Sequence, residues 1–314
     1  MTAQVLIVTN ERDLDADRVV CELDRRGVDV LRCNTERLTD WLVVHDVGHG
    51  WRLTAPSGRT ATSDSVRAVW WRRPEPPTLP LQGLSAGCRE ALDDQWQALM
   101  EGLARCGKRR WVSRPAALRR AEDKLLQLMS ARTVGLSVPD TVVINDVETA
   151  KRFIAGHGGR AVAKSLTAAH WEDDSEAAFV FARLIGEEDL PDDPAAFRRA
   201  PVVLQEAINP KHDVRATVVG DCVLAAATPP TTAEVDWRLE PERTWKAVEL
   251  PPMTVKGCQE LVANLGLRFA GIDLAIAEDG TPWFLEANPN GEWGWLVDAA
   301  GLPVPVALAD ELTA

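Results

Sequence analysis

The clearest pattern of apolar and polar positions lies near the end of the chain, in residues 269–277 and 281–288. Both segments are short and mainly apolar, and the pair Asp279-Gly280 between them is typical of a two-residue hairpin turn. Side chains alternate between the two faces of a strand, so the turn predicts which residues share a face. Counting outward gives the apolar-side pairs Glu278–Thr281, Ile276–Trp283 and Leu274–Leu285.

The same count places three oxygen-bearing side chains on the other face of this hairpin. Asp273 lies opposite Glu286, and Asn288 lies opposite Gly271. Facing carboxylates repel each other, and a divalent cation between them would remove that penalty. Two carboxylates and an amide suit Mg²⁺, which completes its coordination with water and phosphate. The alternative is a solvated polar face on an edge hairpin.

The first third of the chain predicts a β-α-β unit followed by further strands and a helix. The spacing of apolar positions predicts strands over 5–9, 28–33 and 66–71, helices over 13–26 and 90–103, and a hairpin over 41–54. No G-x-G-x-x-G turn follows the first strand, which disfavours a dinucleotide site. Ser113 and Pro115 can begin a new unit, so we expect domains over 1–112 and 113–314.

The rest of the chain continues the alternation of helices and strands, so the expected class is α/β (α+β). Helices are predicted over 121–134, 148–155, 254–265 and 302–312, and strands over 138–144, 161–166 and 202–208. In the first of these helices, Leu125, Leu128 and Met129 are expected to face inward. A second tight hairpin is expected over 211–227, turning at Gly220-Asp221.

Three cations lie where a positive charge is unfavourable without an anion. Lys124 is in the first turn of a helix, where the helix dipole disfavours a cation. Lys164 interrupts an apolar strand, and Arg215 shares a strand face with Asp213 and Thr217. A phosphate ligand would satisfy these charges. The alternatives are a surface lysine at 124, a lysine at 164 that reaches solvent, and an ion pair between Arg215 and Asp213.

Composition excludes several classes of function. The net charge of −12 disfavours nonspecific binding to nucleic acid. Six cysteines occur without a C-x-x-C pair, so neither disulfides nor a thiolate zinc site is expected. No apolar run approaches the ~18 residues of a membrane span, and the start of the chain lacks signal-peptide features. We therefore expect a cytoplasmic protein that does not enter a membrane.

The sequence after the metal-site hairpin resembles a known superfamily. Leu-Glu-Ala-Asn-Pro-Asn-Gly at 285–291 is similar to the final metal-binding segment of the ATP-grasp enzymes. Its continuation Asn-Gly-Glu-Trp-Gly-Trp, together with Val-Trp-Trp-Arg-Arg-Pro at 69–74 and Asp-Trp-Arg at 236–238, resembles the graspetide synthetases, the microviridin-type peptide macrocyclases. This resemblance implies an ATP-grasp fold after an N-terminal β-α-β pre-ATP-grasp domain, with lobes over 113–203 and 204–314.

The resemblance also implies roles for individual residues. Asp273, Glu286 and Asn288 would hold Mg²⁺, and Lys124 and Lys164 would contact the ATP phosphates. Gln205, Glu206, Ala207 and Ile208 would form the hinge that reads adenine, and Asp213 would hold the ribose. Arg215 and Arg238, assisted by Lys246, would hold the transferred phosphate and the substrate carboxylate. The general base stays open between Glu286, Asp213 and the substrate itself.

Two further regions are candidates for binding the substrate peptide. Arg72 and Arg73 could form an electrostatic site for an acidic peptide or a phosphate, or could be a solvated strand end. The acidic run over 172–193 could dock a basic leader segment, or could be a solvated face. In this run, the candidates for binding the substrate or its leader are Glu172, Asp173 and Asp174. Trp237, in the later Asp-Trp-Arg segment, is a further candidate.

The expected function is therefore ATP-dependent ring closure in a ribosomally made precursor peptide, which would carry a leader and a core with Asp or Glu and Ser, Thr or Lys. The loop after Lys164 contains no glycine from 165 to 176, unlike the phosphate-covering loop of ligases that act on free amino acids. Such a ligase, and a nucleotide-binding or Ca²⁺-binding scaffold without turnover, are the alternatives. The family resemblance also implies a homodimer.

Overall fold

The computed structural model of the 314-residue chain describes residues 2–79, 83–105, 110–167, 170–173, 176–179, 182–209, 211–230 and 243–314. For residues 104–105, 170–173 and 176–179 it describes the backbone. Helices and strands alternate along the chain, which confirms the α/β class. No helix within these described ranges has the length and apolar character needed to cross a bilayer.

The N-terminal part contains two sheets. Its elements are β1 (Val5–Thr9), α1 (Leu14–Arg25), β2 (Val30–Asn34), β3 (Leu42–Asp46), β4 (Gly50–Thr54), β5 (Thr60–Thr62), β6 (Ala68–Trp71), α2 (Ala86–Arg105) and β7 (Arg110–Val112). A parallel sheet has the order β2-β1-β6-β7, and β3, β4 and β5 form an antiparallel sheet. The predicted β-α-β unit and the hairpin over 41–54 are confirmed.

The central part is built around a four-stranded antiparallel sheet with the order β12-β9-β13-β8. Its elements are α3 (Pro115–Ala121), α4 (Lys124–Thr133), β8 (Thr141–Ile144), α5 (Val147–Gly156), β9 (Ala161–Lys164), β10 (His170–Asp173), β11 (Glu176–Phe179), β12 (Arg183–Ile185), α6 (Pro194–Phe197) and β13 (Val202–Gln205). Strands β10 and β11 form a separate two-stranded ribbon.

The C-terminal part is a five-stranded antiparallel sheet with the order β16-β15-β14-β17-β18. Its elements are β14 (Lys211–Val219), β15 (Cys222–Ala227), β16 (Lys246–Val248), α7 (Pro252–Asn264), β17 (Phe269–Ala277), β18 (Pro282–Asn288), α8 (Gly294–Ala300) and α9 (Val304–Thr313). The hairpin of β14 and β15 turns at Gly220-Asp221, as predicted, because Val219 pairs with Cys222.

One hydrophobic core joins the beginning of the chain to its end. Its buried residues include Ile7 of β1, Val19 of α1 and Phe269 of β17. They also include Trp293, which precedes α8, and Leu308 of α9. A second core lies between the five-stranded sheet and α7. The N-terminal β-α-β unit therefore packs directly on the segment and the helices that follow β18.

The polar pairs predicted for the last hairpin are confirmed, but the apolar pairs nearer the turn were wrong by one residue. The observed pairs are Gly271–Asn288, Asp273–Glu286, Leu274–Phe284, Ala275–Trp283 and Ile276–Pro282. Phe284, and not Leu285, is therefore the residue of β18 that is fully buried opposite Leu274.

Two compensating features explain this mixed result. The loop is three residues long, since Ala277 N–H donates to the carbonyl of Thr281, and Gly280 has a φ of 84°. A β-bulge between Asp273 and Leu274 then adds one residue to β18 and restores the predicted register. The longer loop displaces the register by one residue and the bulge displaces it back by one. Asp273 therefore pairs with Glu286 as predicted.

The helix predicted over 121–134 is α4, which begins three residues later than predicted, and its predicted inward face is correct at Leu128 and wrong at Leu125 and Met129. Asp123 lies between α3 and α4, and its carboxylate accepts hydrogen bonds from the backbone N–H of Leu125 and Leu126, which caps α4. Leu125 and Met129 are exposed, whereas Leu128 packs on the second core. Gln127 and Ala131 are the buried residues of α4.

Candidate active site

The predicted metal ligands converge on one face of the last hairpin. Asp273 lies on β17, and Glu286 and Asn288 lie on β18. The Nδ2 atom of Asn288 is 3.3 Å from Asp273 Oδ2 and 3.3 Å from Glu286 Oε1. A half-turn of this amide would present its oxygen beside the two carboxylates. The three side chains thus supply the hard oxygen donors that suit Mg²⁺.

Arg215 lies on β14, directly across from Asp273 on β17. Its Nη1 donates to Asp273 Oδ1 at 2.7 Å, so the alternative of an ion pair with Asp213 is wrong. The reason is geometric, because facing residues on adjacent strands are closer than residues two apart on one strand. The buried Nε of Arg215 and the hydroxyl of Thr217 have no hydrogen-bond partner in the described structure. Both atoms are buried beside Gly271, which pairs with Thr217 across the sheet.

The guanidinium of Arg215 fits only because two glycines surround it. A Cβ atom on Gly271 would lie 2.9 Å from Arg215 Cζ. A Cβ atom on Gly291 would lie 3.0 Å from Arg215 Nη2 and 3.1 Å from Asn288 Cβ. The chain therefore makes room for this cation on both sides, at Gly271 of β17 and in the loop after β18.

The two predicted phosphate lysines approach the carboxylates from the central part of the molecule. Lys124, at the start of α4, donates to the carbonyl of Ser165 at 3.0 Å and lies 3.9 Å from Glu286 Oε2. Lys164, at the end of β9, donates to Gln205 Oε1 at 2.7 Å. Burial lowers the pKa of Lys164, and the nearby charge of Glu286 opposes that shift. Neither lysine is the ordinary surface residue of the alternative interpretation.

Residues 205–208 connect the sheet of the central part to that of the C-terminal part. Gln205 ends β13, and its amide donates to Thr141 Oγ1 at 3.0 Å while its oxygen holds Lys164. The backbone N–H of Glu206 donates to the carbonyl of Asp140 at 2.8 Å. Ala207 and Ile208 are half-buried and follow in an extended segment without helix or strand structure. This segment has the position of a hinge, as the adenine-binding prediction requires.

Asp213, predicted to hold a ribose, is buried within an ion-pair cluster. Lys211 contacts its Oδ1, and Arg243 Nη1 donates to its Oδ2 at 2.5 Å. Sequence reasoning missed both cations. The signal for Lys211 was present, because it shares its strand face with Asp213 and Arg215. Arg243 follows the segment 231–242 outside the described residues and had no such signal.

Gln127 is a further residue that sequence reasoning missed. Strand β18 is the edge of its sheet, and the amide of Gln127 pairs with its open side. The backbone N–H of Ala287 donates to Gln127 Oε1 at 2.9 Å, and Gln127 Nε2 donates to the carbonyls of Ala287 at 2.7 Å and Ala121 at 2.6 Å. The residue between Glu286 and Asn288 is thus fixed to the helix that carries Lys124.

Arg72 is not the solvated strand end of the alternative interpretation, whereas its role toward an acidic peptide or a phosphate stays a prediction. Its side chain is fully buried, with relative exposure of 0%. It donates to the carbonyls of Asn290 and Gly291 and to Asp15. Burial lowers the pKa of Arg72 to about 10, and the charge of Asp13 opposes that shift. Arg73 is partly exposed and forms an ion pair of 2.5 Å with Glu292.

Several candidates are not brought to this site in the described part of the chain. Lys246 is exposed on the edge strand β16. Glu172 and Asp173 lie on the ribbon strand β10, where only the backbone is described. Arg238, Trp237 and Asp174 lie outside the described residues.

A cavity of about 760 Å³ opens beside the loop that follows Asn288. Trp71 and Arg73 of the N-terminal part line it together with Glu292 and Trp295 from the segment after β18. This volume lies in the range of about 300–1,000 Å³ that is usual for ligand sites.

Comparisons with known proteins agree with this arrangement. No protein-family model and no curated protein matches the sequence. Among solved structures, macrocyclase MdnC of Microcystis aeruginosa MRC, bound with precursor peptide MdnA, is 28% identical with a TM-score of 0.87, covering 100% of this chain and 99% of that one. A second structure is a RiPP-associated ATP-grasp ligase of Chryseobacterium gregarium in complex with ADP and a leader and core peptide. It is 25% identical with a TM-score of 0.88, covering 99% of this chain and 96% of that one. Macrocyclase MdnB of Microcystis aeruginosa MRC is 29% identical with a TM-score of 0.79, covering 98% of each chain.

The fold and the full-length similarity define the class of protein. The chain is an ATP-grasp ligase. Within this class it belongs to the graspetide synthetases, the family of the ribosomal-peptide macrocyclases.

Proposed function

We propose that this protein closes rings in a ribosomally made precursor peptide at the expense of ATP. Asp or Glu side chains of the peptide would be activated as acyl phosphates and joined to Ser or Thr hydroxyls or to Lys amines. The observation that carries the proposal is the cluster of Asp273, Glu286, Asn288 and Arg215, in which carboxylates and an arginine with an unpaired Nε share one face. The full-length similarity to enzymes solved with precursor peptides supports the substrate class.

The site residues divide between nucleotide binding and phosphoryl transfer. Lys124 and Lys164 would neutralise ATP phosphate oxygens, which is the main requirement for this transfer. The hinge at Glu206–Ile208 would bind adenine through its backbone. Asp273, Glu286 and Asn288 would hold Mg²⁺, which when bound screens the charge between nucleotide and carboxylate.

The reaction proposed for these groups has two balanced steps. An oxygen of the peptide carboxylate attacks the γ-phosphorus of ATP, and the bond from that phosphorus to ADP breaks. The guanidinium of Arg215 would contact an oxygen of the transferred group, where negative charge accumulates. A hydroxyl or amine then attacks the acyl carbon, the carbon–oxygen bond to phosphate breaks, and the proton ends on the released phosphate. The products are an ester or amide, ADP and inorganic phosphate.

The cavity beside the loop after Asn288 is the space proposed for the part of the peptide that reacts. It borders the loop that packs on Arg215 and Asn288. Its walls combine tryptophans with charged groups of both signs, so it suits a peptide segment better than a single anion. The homodimer and the cytoplasmic location implied by the family resemblance stay predictions.

Peptide-dependent ADP formation tests this proposal. The precursor peptide encoded beside the gene should stimulate ADP release in the presence of Mg²⁺, and Glu286→Gln should remove that stimulation. Free amino acids should give no stimulation. Stimulation by free amino acids but not by the peptide would instead favour a small-substrate ligase, and ATP binding without any ADP release would favour a scaffold.

A further inference from the structure

The loop of residues 289–293, which follows the metal ligand Asn288, is held from two sides. On its inner side, Arg215 Nη2 lies 3.5 Å from the carbonyl of Glu292. Gly291 packs so closely on Arg215 and Asn288 that no side chain could stand between them. The position of this loop therefore limits where Arg215 and Asn288 can lie.

The outer side of the 289–293 loop is held by the N-terminal domain. Arg72 Nη1 donates to the carbonyls of Asn290 at 2.5 Å and Gly291 at 3.0 Å, and its Nη2 donates to Asp15 Oδ2 at 3.0 Å. The same Oδ2 of Asp15 accepts the backbone N–H of Trp293 at 3.0 Å. One arginine and one carboxylate, both from the first domain, thus hold three backbone groups of this loop.

This contact does more than hold two domains together. A guanidinium in a dry interior carries a large desolvation cost, and apolar residues of similar volume commonly stabilise a fold at least as well. What the arginine supplies is direction, because its planar group donates along fixed vectors that a lysine lacks. Its side chain reaches carbonyls only two and three residues beyond Asn288. Such an arrangement fixes backbone geometry immediately behind a metal ligand.

We propose that Arg72, together with Asp15, is a positioning residue of the active site. It holds the 289–293 loop so that Asn288 and Arg215 keep the geometry that binds a nucleotide with Mg²⁺. The inference rests on the proposed function for the identity of that ligand. It assigns the N-terminal domain a direct part in forming the nucleotide-metal site, through residues that contact neither ligand.

The test compares Arg72→Gln and Arg72→Lys with a matched change in another buried ion pair. Glu311 of α9 has 8% relative exposure and accepts hydrogen bonds from Arg110 of β7 at 3.0 Å and from Arg268 at 2.8 Å. Among the described contacts, this cluster joins the same two parts of the molecule without touching the 289–293 loop. Glu311→Gln should therefore lower stability without altering the active site.

Two measurements are made on variants whose circular dichroism shows that they are folded. Calorimetric titration gives the dissociation constant for ADP in Mg²⁺, and ADP formation with the precursor peptide gives kcat. Arg72→Gln should weaken ADP binding at least tenfold and lower kcat by a similar factor, with Arg72→Lys between it and the wild type. Glu311→Gln should stay within twofold of the wild type in both the dissociation constant for ADP and kcat, even if its Tm falls as far as that of Arg72→Gln.

The outcomes separate this inference from the function on which it rests. If Arg72→Gln binds ADP and turns over like Glu311→Gln, Arg72 has only a structural role and the inference is overturned. If the wild type binds ADP but leaves the peptide unchanged, the proposed substrate fails while the effect of Arg72 on ADP binding still decides the inference. A wild type that binds no ADP in Mg²⁺ would overturn both.

Discussion

Arg215 shows how closely function at the residue scale depends on small neighbours. The guanidinium bridges from Asp273 toward the loop after β18, and glycines at 271 and 291 leave the space it occupies. Neither glycine has a positive φ, so their role is to leave room and not to permit an unusual backbone. A methyl group added at either glycine would therefore collide with the arginine side chain, while the backbone could keep its conformation.

Gly271→Ala should disable the enzyme while leaving it folded. The new Cβ would lie 2.9 Å from Arg215 Cζ and would push the guanidinium from its position beside Asp273. Loss of one aligned charge donor typically lowers kcat by roughly 10²-fold, so we expect a decrease of that order in ADP formation. Gly102→Ala in helix α2 is the control, since nothing lies within 4 Å of its added Cβ. Equal activities of the two variants would contradict the role given to Arg215.

At the scale of elements, helix α4 and strand β18 act as one unit. The helix begins with Lys124, and one turn later Gln127 pairs with the backbone of Ala287 between two of the proposed metal ligands. Partners behind metal ligands commonly affect metal affinity as much as some ligands do. The helix thus fixes Lys124, the proposed phosphate contact, relative to β18, which carries two of the proposed metal ligands.

Gln127→Leu should weaken Mg²⁺ activation by roughly tenfold or more, as expected for the loss of a group that orients metal ligands. Leucine has a similar size but leaves the N–H and C=O of Ala287 unpaired, so stability should also fall by about 2–4 kcal/mol. The Mg²⁺ dependence of ADP formation and a denaturant titration measure the two effects. Met129→Gln, on the exposed face of the same helix, should change neither. An unaltered Mg²⁺ requirement in Gln127→Leu would refute the coupling.

The hairpin and this helix also show what the sequence could and could not predict. The alternation of polar positions placed Asp273 opposite Glu286 correctly, although the loop is longer than expected and a bulge restores the register. Periodicity reports the face of a strand well but does not detect paired one-residue shifts. The inward face of α4 was wrong at Leu125 and Met129 because a buried glutamine resembles a surface residue until its backbone partner in a distant strand is known.

At the scale of the whole molecule, two inferences from sequence had different outcomes. The class and the order of the elements followed from local patterns and from the family resemblance. The burial of Arg72 did not, because its partners lie more than 200 residues away in sequence, at Asn290 and Gly291. Contacts between the ends of the chain form a shared core, and local periodicity carries no information about them.

A pH-dependent contact lies beside residues 205–208, the proposed hinge. His157 at the end of α5 has a raised pKa, chiefly because its ring hydrogen-bonds to the carbonyl of Phe153, with Asp140 and Glu206 adding negative charge nearby. A raised folded-state pKa means that protonation favours the folded state. This stabilisation is fully present below the unfolded-state pKa and is lost as the pH rises through the raised value.

We expect His157→Gln to lose stability relative to the wild type at about pH 6 and to approach it at about pH 8.5, since histidine titrates in this range. The difference should stay below ~1 kcal/mol because the pair with Asp140 is near the surface. Denaturant titrations across this range measure it. Stability curves that stay parallel from one end of the range to the other would show that His157 makes no such contribution.

The central claim is that this enzyme closes rings in a peptide, and the intact mass of the product tests it most directly. The precursor peptide encoded beside the gene is incubated with the protein, ATP and Mg²⁺, and its mass is compared with that from a reaction with Glu286→Gln. The account predicts the loss of one water per ring with the wild type and no loss with the variant, and hydroxylamine would then distinguish esters from amides. An unchanged peptide mass while ADP is still formed would contradict ring closure.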